Sequence, residues 1–554
     1  MHPRPVLIAT LAVLSGVASA ATFGDPSHPE TLEKDITAAL AGGAKTVTVT
    51  PGVYQLPQGL GFRDLVDVTL DFTKVELSLH SERDGVVFGR CRDTVFTGAT
   101  IHYDHPRFSQ AKILAFGSEN QQVWYEVQVD AGYPVDAPWK SCVIFTPNER
   151  RIKFHTWDSN AKAVTKLDGA GHLRVAWDDR NLIPPHSPVA VGDYLVCRGD
   201  GSSLLHTEGC VTCTFKDLNF YWGGIFGIFE TGPSEANHYL RIAITPGAMP
   251  TGATNLPFIS QSADGLHSAA ARRGPLIESC DFECMLDDAV AIHGYFAPIL
   301  EVAGPTLMVK EHTFRVGDQA RVSSDKGFLA EATVAKIEHL ADQRWAITLN
   351  KDVAATAGCK IGNPSASGNG YQIIDNTIRG NRARGILVKG DNGLIEGNTI
   401  EGSTMSGISV GPEYWWNEGD YCQHVAIRNN TIRHTNYATN DFGNNGAILV
   451  HGDGTRGNRD IVITGNRIED VLGANIIIGW ADGVKVADNT FTGFQRFDLG
   501  TEAKHGALIL LDHCANVAFA GNSASEPGPF AKTMLLSGKE VAGVTGADTG
   551  LVKH

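Results

Sequence analysis

The stretch Asp375–Glu401, DNTIRGNRARGILVKGDNGLIEGNTIE, contains two Asn-Thr-Ile motifs that begin 22 residues apart. Related motifs mark the rest of the C-terminal third, and their asparagines are Asn376, Asn398, Asn430, Asn466, Asn489 and Asn522. The successive spacings are 22, 32, 36, 23 and 33, so a unit of about 22 residues is interrupted by longer loops. Three short strands and their turns fill such a unit, which predicts one coil of a parallel β-helix.

The repeated asparagines are expected to be structural. Each would lie at the same turn of its coil, adopt a left-handed backbone and bond along the column. Nearer the N-terminus, KTVTVTPGVYQLP at Lys45–Pro57 alternates apolar and polar residues, which predicts a half-buried first strand. The preceding residues Asp35–Leu40 suit a short helix that closes the open end of the stack.

Two segments interrupt the repeat with longer alternating strands and without the Asn-Thr-Ile motif. Each contains Val-Gly-Asp before a strand, at Val191 and Val316. We expect two small antiparallel β-barrels inserted between coils of an all-β, right-handed parallel β-helix. The predicted divisions are a signal peptide at 1–20, N-terminal coils at 21–117, a first barrel at 118–198, coils with the candidate catalytic residues at 199–302, a second barrel at 303–362, C-terminal coils at 363–541 and a tail at 542–554.

The first residues are typical of a signal peptide. Arg4 is followed by an apolar run at Val6–Leu14 and by the small residues Ala18-Ser19-Ala20, which predicts cleavage before Ala21. No later stretch is apolar for long enough to span a membrane. These patterns predict a secreted or periplasmic protein. They do not determine its oligomeric state.

The composition narrows the class of partner. The net charge of −15 disfavours nucleic acid and polyanionic glycans as binding partners and favours a neutral substrate. Cys210-x-x-Cys213 and Cys280-x3-Cys284 superficially resemble a zinc site, but the second spacing is irregular and both pairs lie in strand-like segments. Buried thiols or disulfides are the favoured interpretation, with no metal and no cofactor.

The chemistry is expected in SADGLHSAAARRGPLIESCDFECMLDDAVAIHG, Ser262–Gly294. Asp287 and Asp288 follow Asp264 by 23 and 24 residues, which is about one coil. Adjacent strands lie about 4.8 Å apart, so three carboxyls crowded there cannot all remain ionised. One becomes an acid and another remains a base, as glycoside hydrolysis requires. The alternative is that these aspartates only cap turns.

Long loops and basic residues surround this stretch. Gly411–Tyr421 contains Trp416 and Glu418, and its tryptophans either stack on sugars or pack under the loop. Arg382 and Arg384 either bind sugar hydroxyls, hold a carboxylate ionised, or lie on a solvated face. Two histidines, His267 and His293, either orient carboxylates and bind substrate or are structural.

Several motifs resemble glycoside hydrolase family 110, the exo-acting α-1,3-galactosidases. They are Ala263-Asp264-x-x-His267, Met285-x-Asp287-Asp288-Ala289-x-x-x-His293-Gly294, Asn381-Arg-Ala-Arg-Gly385, and Trp416-x-Glu418 with Cys422 downstream. The resemblance covers roughly residues 200–435, and it also implies the β-helix with two barrel inserts.

The resemblance implies an inverting enzyme that removes terminal α-1,3-linked galactose from blood-group-B-type or linear glycans. Asp287 would be the general acid, and Asp264 and Asp288 would hold the attacking water. The residues implied in substrate binding are His267, His293, Arg384, Trp416 and Glu418. The implied partner is an oligosaccharide or glycoconjugate.

Three other functions remain open from the sequence. A polygalacturonase-like β-helix hydrolase is disfavoured because its Asn-Thr-Asp segment is absent. A polysaccharide lyase needs Ca²⁺, a basic catalytic residue and an acidic polymer, which the negative net charge disfavours. A non-catalytic glycan-binding or adhesin module requires neither paired carboxyls of shifted pKa nor long aromatic loops.

Overall fold

The computed structural model describes residues 22–80, 83–147, 150–169, 171–324, 326–437, 444–452, 454–546 and 552–553. The predicted signal peptide at 1–20 lies outside these residues. Within them, the chain winds into a stack of coils whose strands form three parallel faces, here called faces A, B and C. No helix in this part of the chain is long and apolar enough to cross a bilayer.

Each coil contributes short strands to these faces, and two long strands, Thr69–Leu79 and Val95–Tyr103, belong to both A and B. The other strands of face A are Thr22–Phe23, Thr46–Val49, Thr214–Lys216, His238–Leu240, Leu276–Glu278, Gln372–Ile374, Leu394–Glu396, Ala426–Arg428, Asn458–Thr464, Ala481–Ala487 and Ala515–Ala520. Those of face B are Gly52–Leu56, Asn219–Tyr221, Ala243–Ile244, Asp281–Glu283, Thr377–Arg379, Thr399–Glu401, Thr431–Arg433, Arg467–Glu469, Thr490–Thr492, Ser523–Ser525 and Val552–Lys553. Those of face C are Leu60–Arg63, Val86–Gly89, Leu205–Glu208, Ile228–Thr231, Leu266–Ala269, Val290–Pro298, Ile386–Val388, Ile408–Val410, Gly446–Val450, Ala474–Gly479, Ala507–Asp512 and Thr533–Ser537.

The interior of the stack is a column of apolar side chains. The isoleucine of each Asn-Thr-Ile motif faces inward, so that Ile378, Ile400 and Ile432 lie one above another and are fully buried. Burying a side chain of this size contributes about 1.5–3 kcal/mol. The helix Leu32–Ala41 closes the N-terminal end and packs Leu32 and Ile36 onto this core, which confirms the predicted cap. Within the described ranges, the other helical elements are the 3₁₀ turns Pro29–Thr31, Arg180–Leu182, Pro364–Ala366, Tyr414–Trp416 and Ala503–Gly506.

The asparagine column is confirmed, but the prediction of its backbone conformation is wrong. Asn376 donates from its side-chain Nδ2 to Oδ1 of Asn398 at 2.9 Å, and its backbone N–H donates to the same oxygen at 3.0 Å. The residue with positive φ is the one before each asparagine, such as Asp375 at 54° and Gly397 at 69°. The left-handed residue makes the turn, and this places the following amide side chain inside, where it bonds to the next coil.

The first insert is an antiparallel sheet with its own core. Its six strands run in the order Lys140–Phe145, Tyr194–Arg198, Ser109–Glu119, Gln122–Val129, His172–Trp177 and Ala163–Lys166. The strand Lys140–Phe145 also makes isolated antiparallel bridges, from Cys142 to Ser159 and from Phe145 to Ile152. The predicted barrel is not confirmed here. Its first strand begins at Ser109, nine residues before the expected boundary at 118, because residues 109–112 pair antiparallel with 194–197 of the insert.

The second insert follows directly on the face C strand Val290–Pro298. Its paired strands run in the order Glu301–Ala303, Thr306–Val309, Trp345–Leu349, Gly327–His339, Gln319–Ser324 and Lys360–Gly362. The last of these strands, Lys360–Gly362, pairs antiparallel with residues 296–298, at the end of the face C strand that leads into the insert. Arg272 of the β-helix donates two hydrogen bonds, of 2.5 and 2.7 Å, to the carboxylate of Asp318 in the insert. The division into domains stays a prediction.

Candidate active site

Asp264, Asp288 and Arg384 occupy equivalent positions on three successive coils. The face C strands are in register, with Leu266 opposite Val290 and Val290 opposite Ile386. Each of the three polar residues lies two positions before one of these, at the turn that leads from face B into face C. The parallel ladder therefore stacks two carboxyls and one guanidinium at the start of the same face.

The Asp264 carboxyl is nearly buried and bonds to a histidine. Its Oδ2 lies 2.6 Å from Nδ1 of His267. Burial raises the pKa of Asp264; His267 opposes this shift, and the negative charge of Asp287 adds to it. Asp264 therefore holds a proton more readily than a solvated aspartate does.

Asp288 is the most strongly shifted of the three carboxyls. Burial raises its pKa well above the usual value, and the charges of Asp287 and Asp264 raise it further. Arg384 opposes this shift, because its backbone N–H donates to Oδ1 at 2.8 Å and its Nη2 lies 3.2 Å from Oδ2. The backbone N–H of Gly265 donates to the carbonyl of Asp288 at 3.0 Å, so Asp264 and Asp288 lie side by side on adjacent coils.

Asp287 lies between two arginines. Its Oδ2 accepts a hydrogen bond from Arg198 of the first insert, and its Oδ1 accepts one from Nη1 of Arg382 at 2.8 Å. Burial acts to raise its pKa, but Arg382, Arg198 and Arg384 outweigh burial and lower it. Its side chain is 24% exposed, compared with 9% for Asp264 and 6% for Asp288. Asp287 is thus the outermost of the three carboxyls and the one whose neighbours favour ionisation.

A chain of hydrogen bonds fixes the tautomers of the two histidines. Nδ1 of His293 lies 2.8 Å from the carbonyl of Gly294, so it must carry the proton. Burial lowers the pKa of His293 to about 3, so its Nε2 is unprotonated and accepts from Nε2 of His267 at 2.9 Å. Nε2 of His267 therefore carries a proton, and one further proton is shared between Nδ1 of His267 and the carboxyl of Asp264.

The Gly411–Tyr421 loop contributes a second charged group to the site. Glu418 pairs across strands with Tyr295, and its carboxylate binds the ammonium of Lys389, which is fully buried. Lys389 also donates to Glu413 at 2.7 Å, and Glu413 accepts from Arg384 at 3.1 Å. Glu418 is thereby linked to the Arg384–Asp288 pair.

The tryptophans of this loop do not pack under it. Trp415 and Trp416 are 62% and 68% exposed, so the interpretation of these indoles as buried loop supports is wrong. They lie on the short turn Tyr414–Trp416, next to Glu418. Exposed indoles in such a position present flat apolar faces to solvent.

The structure brings seven of the eight expected site residues into this network, and Trp416 lies at its edge. Arg198, Lys389 and Glu413 also belong to it but were not expected. Lys389 had a signal in the sequence, since it falls one coil after His293 at the equivalent position. Nothing in the sequence pointed to Arg198, which is 89 residues from Asp287 along the chain.

All ten cysteines are buried and none is in a disulfide. Cys210 and Cys280 direct their thiols to backbone carbonyls of neighbouring coils. In the part of the chain that the structure describes, no group of three or more His, Cys, Asp or Glu side chains is arranged to hold a metal ion.

Comparisons with known proteins agree with this architecture and site. Residues 363–531 match the family model described as a right-handed β-helix region. α-1,3-Galactosidase B of Parabacteroides distasonis is 22% identical over 435 residues, which are 71% of this chain and 68% of the relative. The chain is a homologue of α-1,3-galactosidases. This confirms the resemblance that the motifs indicated, the β-helix fold and the expectation of an enzyme of the glycoside hydrolase class.

Two further relatives have the same name. α-1,3-Galactosidase A of Bacteroides thetaiotaomicron is 23% identical over 447 residues, which are 71% of this chain and 76% of the relative. α-1,3-Galactosidase B of Akkermansia muciniphila is 29% identical over 315 residues, which are 53% of this chain. That match spans only 37% of the Akkermansia protein.

Proposed function

We propose that the protein is an exo-acting, inverting glycoside hydrolase that releases terminal α-1,3-linked galactose from blood-group-B-type or linear α-galactosides. The observation that carries this proposal is the group of three carboxyls on adjacent coils, whose pKa values are shifted in opposite directions. A set of carboxyls that differ in protonation supplies an acid and a base at one pH. The names of the homologues indicate the sugar and the linkage.

Asp287 is proposed as the proton donor to the departing oxygen. In an exo-acting enzyme the terminal sugar lies deepest, so the leaving group lies nearest the most exposed carboxyl. Arg198 and Arg382 favour the ionised form of Asp287. Its action as an acid therefore requires that a bound glycan weakens one of these contacts. The alternative donor is Asp288, whose pKa is raised.

Asp264 and Asp288 are proposed to hold and activate the attacking water. The proton shared by Asp264 and His267 provides a route by which a proton from the water reaches the imidazole. His293 keeps His267 oriented, because its Nε2 accepts from the other side of the ring. Inversion requires about 6.5–9.5 Å between the acid and base carboxyls to leave room for the water.

The remaining polar groups are proposed to bind the sugar. Lys389 orients the carboxylate of Glu418, which is proposed to accept hydrogen bonds from sugar hydroxyls. Arg384 is held between Asp288 and Glu413, and Trp416 offers an exposed face at the edge of the site. An oligosaccharide or glycoconjugate is the proposed partner. A secreted or periplasmic location is proposed from the signal-peptide pattern of residues 1–20.

The test is release of monosaccharide from a panel of α-galactosides, α-N-acetylgalactosaminides and galacturonans. We expect galactose from α-1,3-galactobiose and a loss of about 10²-fold or more in Asp287→Asn. Asp281→Asn is the matched control, because Asp281 lies on the same coil but on face B, where it pairs with Arg379. Glycan binding without turnover in both the wild type and Asp287→Asn would instead indicate a binding module.

A further inference from the structure

A cavity of about 610 Å³ lies between the second insert and the Gly411–Tyr421 loop. Its lining includes Tyr295, Leu300, Lys310, His312, Phe314 and Trp416. None of the three carboxyls of the site lines it. The proposed chemistry therefore does not account for this cavity, nor does it give the second insert a role.

The cavity lies next to the proposed active site. The ring of Tyr295 packs edge-on against the ring of His293, with 5.2 Å between their centroids. Tyr295 is also the cross-strand partner of Glu418, and Trp416 lies two residues before Glu418. The cavity thus begins where the sugar-binding end of the site stops.

The lining has the composition of a sugar-binding site. Tyr295 is 43% exposed and Leu300 47%, so these side chains are not used in the packing of the insert. Lys310 and Glu311 lie on the rim of the cavity and carry opposite charges. Ligand sites typically combine apolar and aromatic walls with a few polar groups in a volume of about 300–1,000 Å³. Mixed charge on such walls fits a neutral oligosaccharide better than a polyanion.

We propose that this cavity is a subsite for sugar units of the leaving group that lie beyond the sugar directly linked to the terminal galactose. The proposal rests on the proposed function, since in an exo-acting enzyme everything beyond the terminal sugar belongs to the leaving group. Binding remote sugars there positions the reacting bond and raises kcat/KM for longer substrates. The second insert thereby sets the preferred length of the glycan.

The test compares kcat/KM on α-1,3-galactobiose with that on a linear tetrasaccharide that ends in α-1,3-linked galactose. We expect the wild type to prefer the tetrasaccharide by about tenfold or more. Leu300→Trp should fill the cavity and abolish this preference, with kcat/KM on the disaccharide unchanged. Lys310→Ala should reduce the preference. The matched control is Phe497→Ala, because Phe497 is 52% exposed in a different cavity, between the first insert and the C-terminal coils.

Each outcome decides the proposal. Equal values on the two substrates in the wild type would overturn the subsite while the galactosidase activity stands. Loss of the preference in Phe497→Ala instead of Leu300→Trp would also overturn it, by placing the glycan on the other side. Leu300→Trp is uninformative if it lowers the melting temperature and the activity on both substrates. Lys310→Ala then decides, and full retention of the preference for the tetrasaccharide in that variant overturns the proposal. Failure to cleave either substrate would refute the proposed function, and the subsite with it.

Discussion

The backbone N–H of Arg384 donates to Oδ1 of Asp288 at 2.8 Å from the next coil. The guanidinium of the same residue reaches Oδ2 at 3.2 Å, so Arg384 contacts both oxygens of the carboxyl. This relationship follows from the register of face C, in which Val290 lies opposite Ile386. It makes the protonation of Asp288 depend on the side chain at position 384.

Arg384→Gln should shift the pH dependence of catalysis. Without the guanidinium, only the backbone N–H at this position opposes the effect of burial, so the pKa of Asp288 rises further. If Asp288 acts as a base, the acidic limb of the kcat/KM profile moves to higher pH, with a loss of about 10–10²-fold at neutral pH. Arg379→Gln on the outside of the same coil is the control. An unchanged acidic limb would exclude Asp288 as the base.

Asp287→Asn and Asp288→Asn should differ in their dependence on the leaving group. Loss of the acid matters little when the leaving group needs no proton, so Asp287→Asn should retain much more activity on an activated aryl α-galactoside than on α-1,3-galactobiose. Asp288→Asn should lose activity on both substrates alike. The measurement is kcat/KM on the two substrates, and the reverse pattern would identify Asp288 as the acid.

Arg198→Ala should show that the first insert completes the site. The guanidinium of Arg198 bonds to Asp287 and also to the carbonyl of Leu286. Its removal frees Asp287 from one of the two arginines that bond to it, so the pKa of Asp287 rises. If Asp287 acts as the acid, the basic limb of the kcat/KM profile moves to higher pH, with little change in melting temperature. Arg174→Ala is the control, since Arg174 lies in the same insert, pairs with Glu126 and stacks on Trp124. Equal pH profiles of the two variants would argue against a role for the insert.

Asn430→Ala should destabilise the β-helix without changing any residue of the candidate active site. Its Oδ1 accepts from the backbone and side chain of Asn398, and its Nδ2 donates to Asn466. Leaving these buried groups unpaired should cost about 2–4 kcal/mol in the free energy of unfolding, measured with denaturant. Thr490→Ala, at an exposed position on face B, should cost less than about 0.5 kcal/mol. Comparable losses would contradict the structural role of the column.

His293 should make the folded state less stable as the pH falls. Burial lowers its pKa to about 3, whereas an unfolded histidine titrates near 6.5. Between these values the unfolded state binds a proton that the folded state does not, so stability is lost as the pH drops below about 6.5. Relative to His293→Gln, the wild type should lose up to about 1.4 kcal/mol per pH unit in that window. A difference in stability that is independent of pH would contradict this account.

The repeat predicts the fold because one residue type recurs at one turn of every coil. The Asn-Thr-Ile motif places both the amide column and the isoleucine core, and both are present. The left-handed conformation was predicted for the asparagine, but the residue before it adopts this conformation. Asn, Asp and Gly all tolerate a left-handed backbone. The spacing alone could not separate the two.

The candidate site was predictable where it follows the period of the coil. Asp264 and Asp288 are one coil apart, and Arg384 comes at the equivalent place after the second insert. Arg198 could not be predicted, because the packing of the first insert against the β-helix sets its approach to Asp287. Likewise, nothing in the sequence of residues 109–112 distinguishes a parallel partner from the antiparallel partner that they have at 194–197.

The most direct test of the central claim is the anomeric configuration of the galactose first released from α-1,3-galactobiose, followed by proton NMR. A water held by Asp264 and Asp288 on the face opposite the leaving group predicts that β-galactose accumulates first and then mutarotates. Initial release of α-galactose, or no release of galactose, would contradict the assignment of these carboxyls.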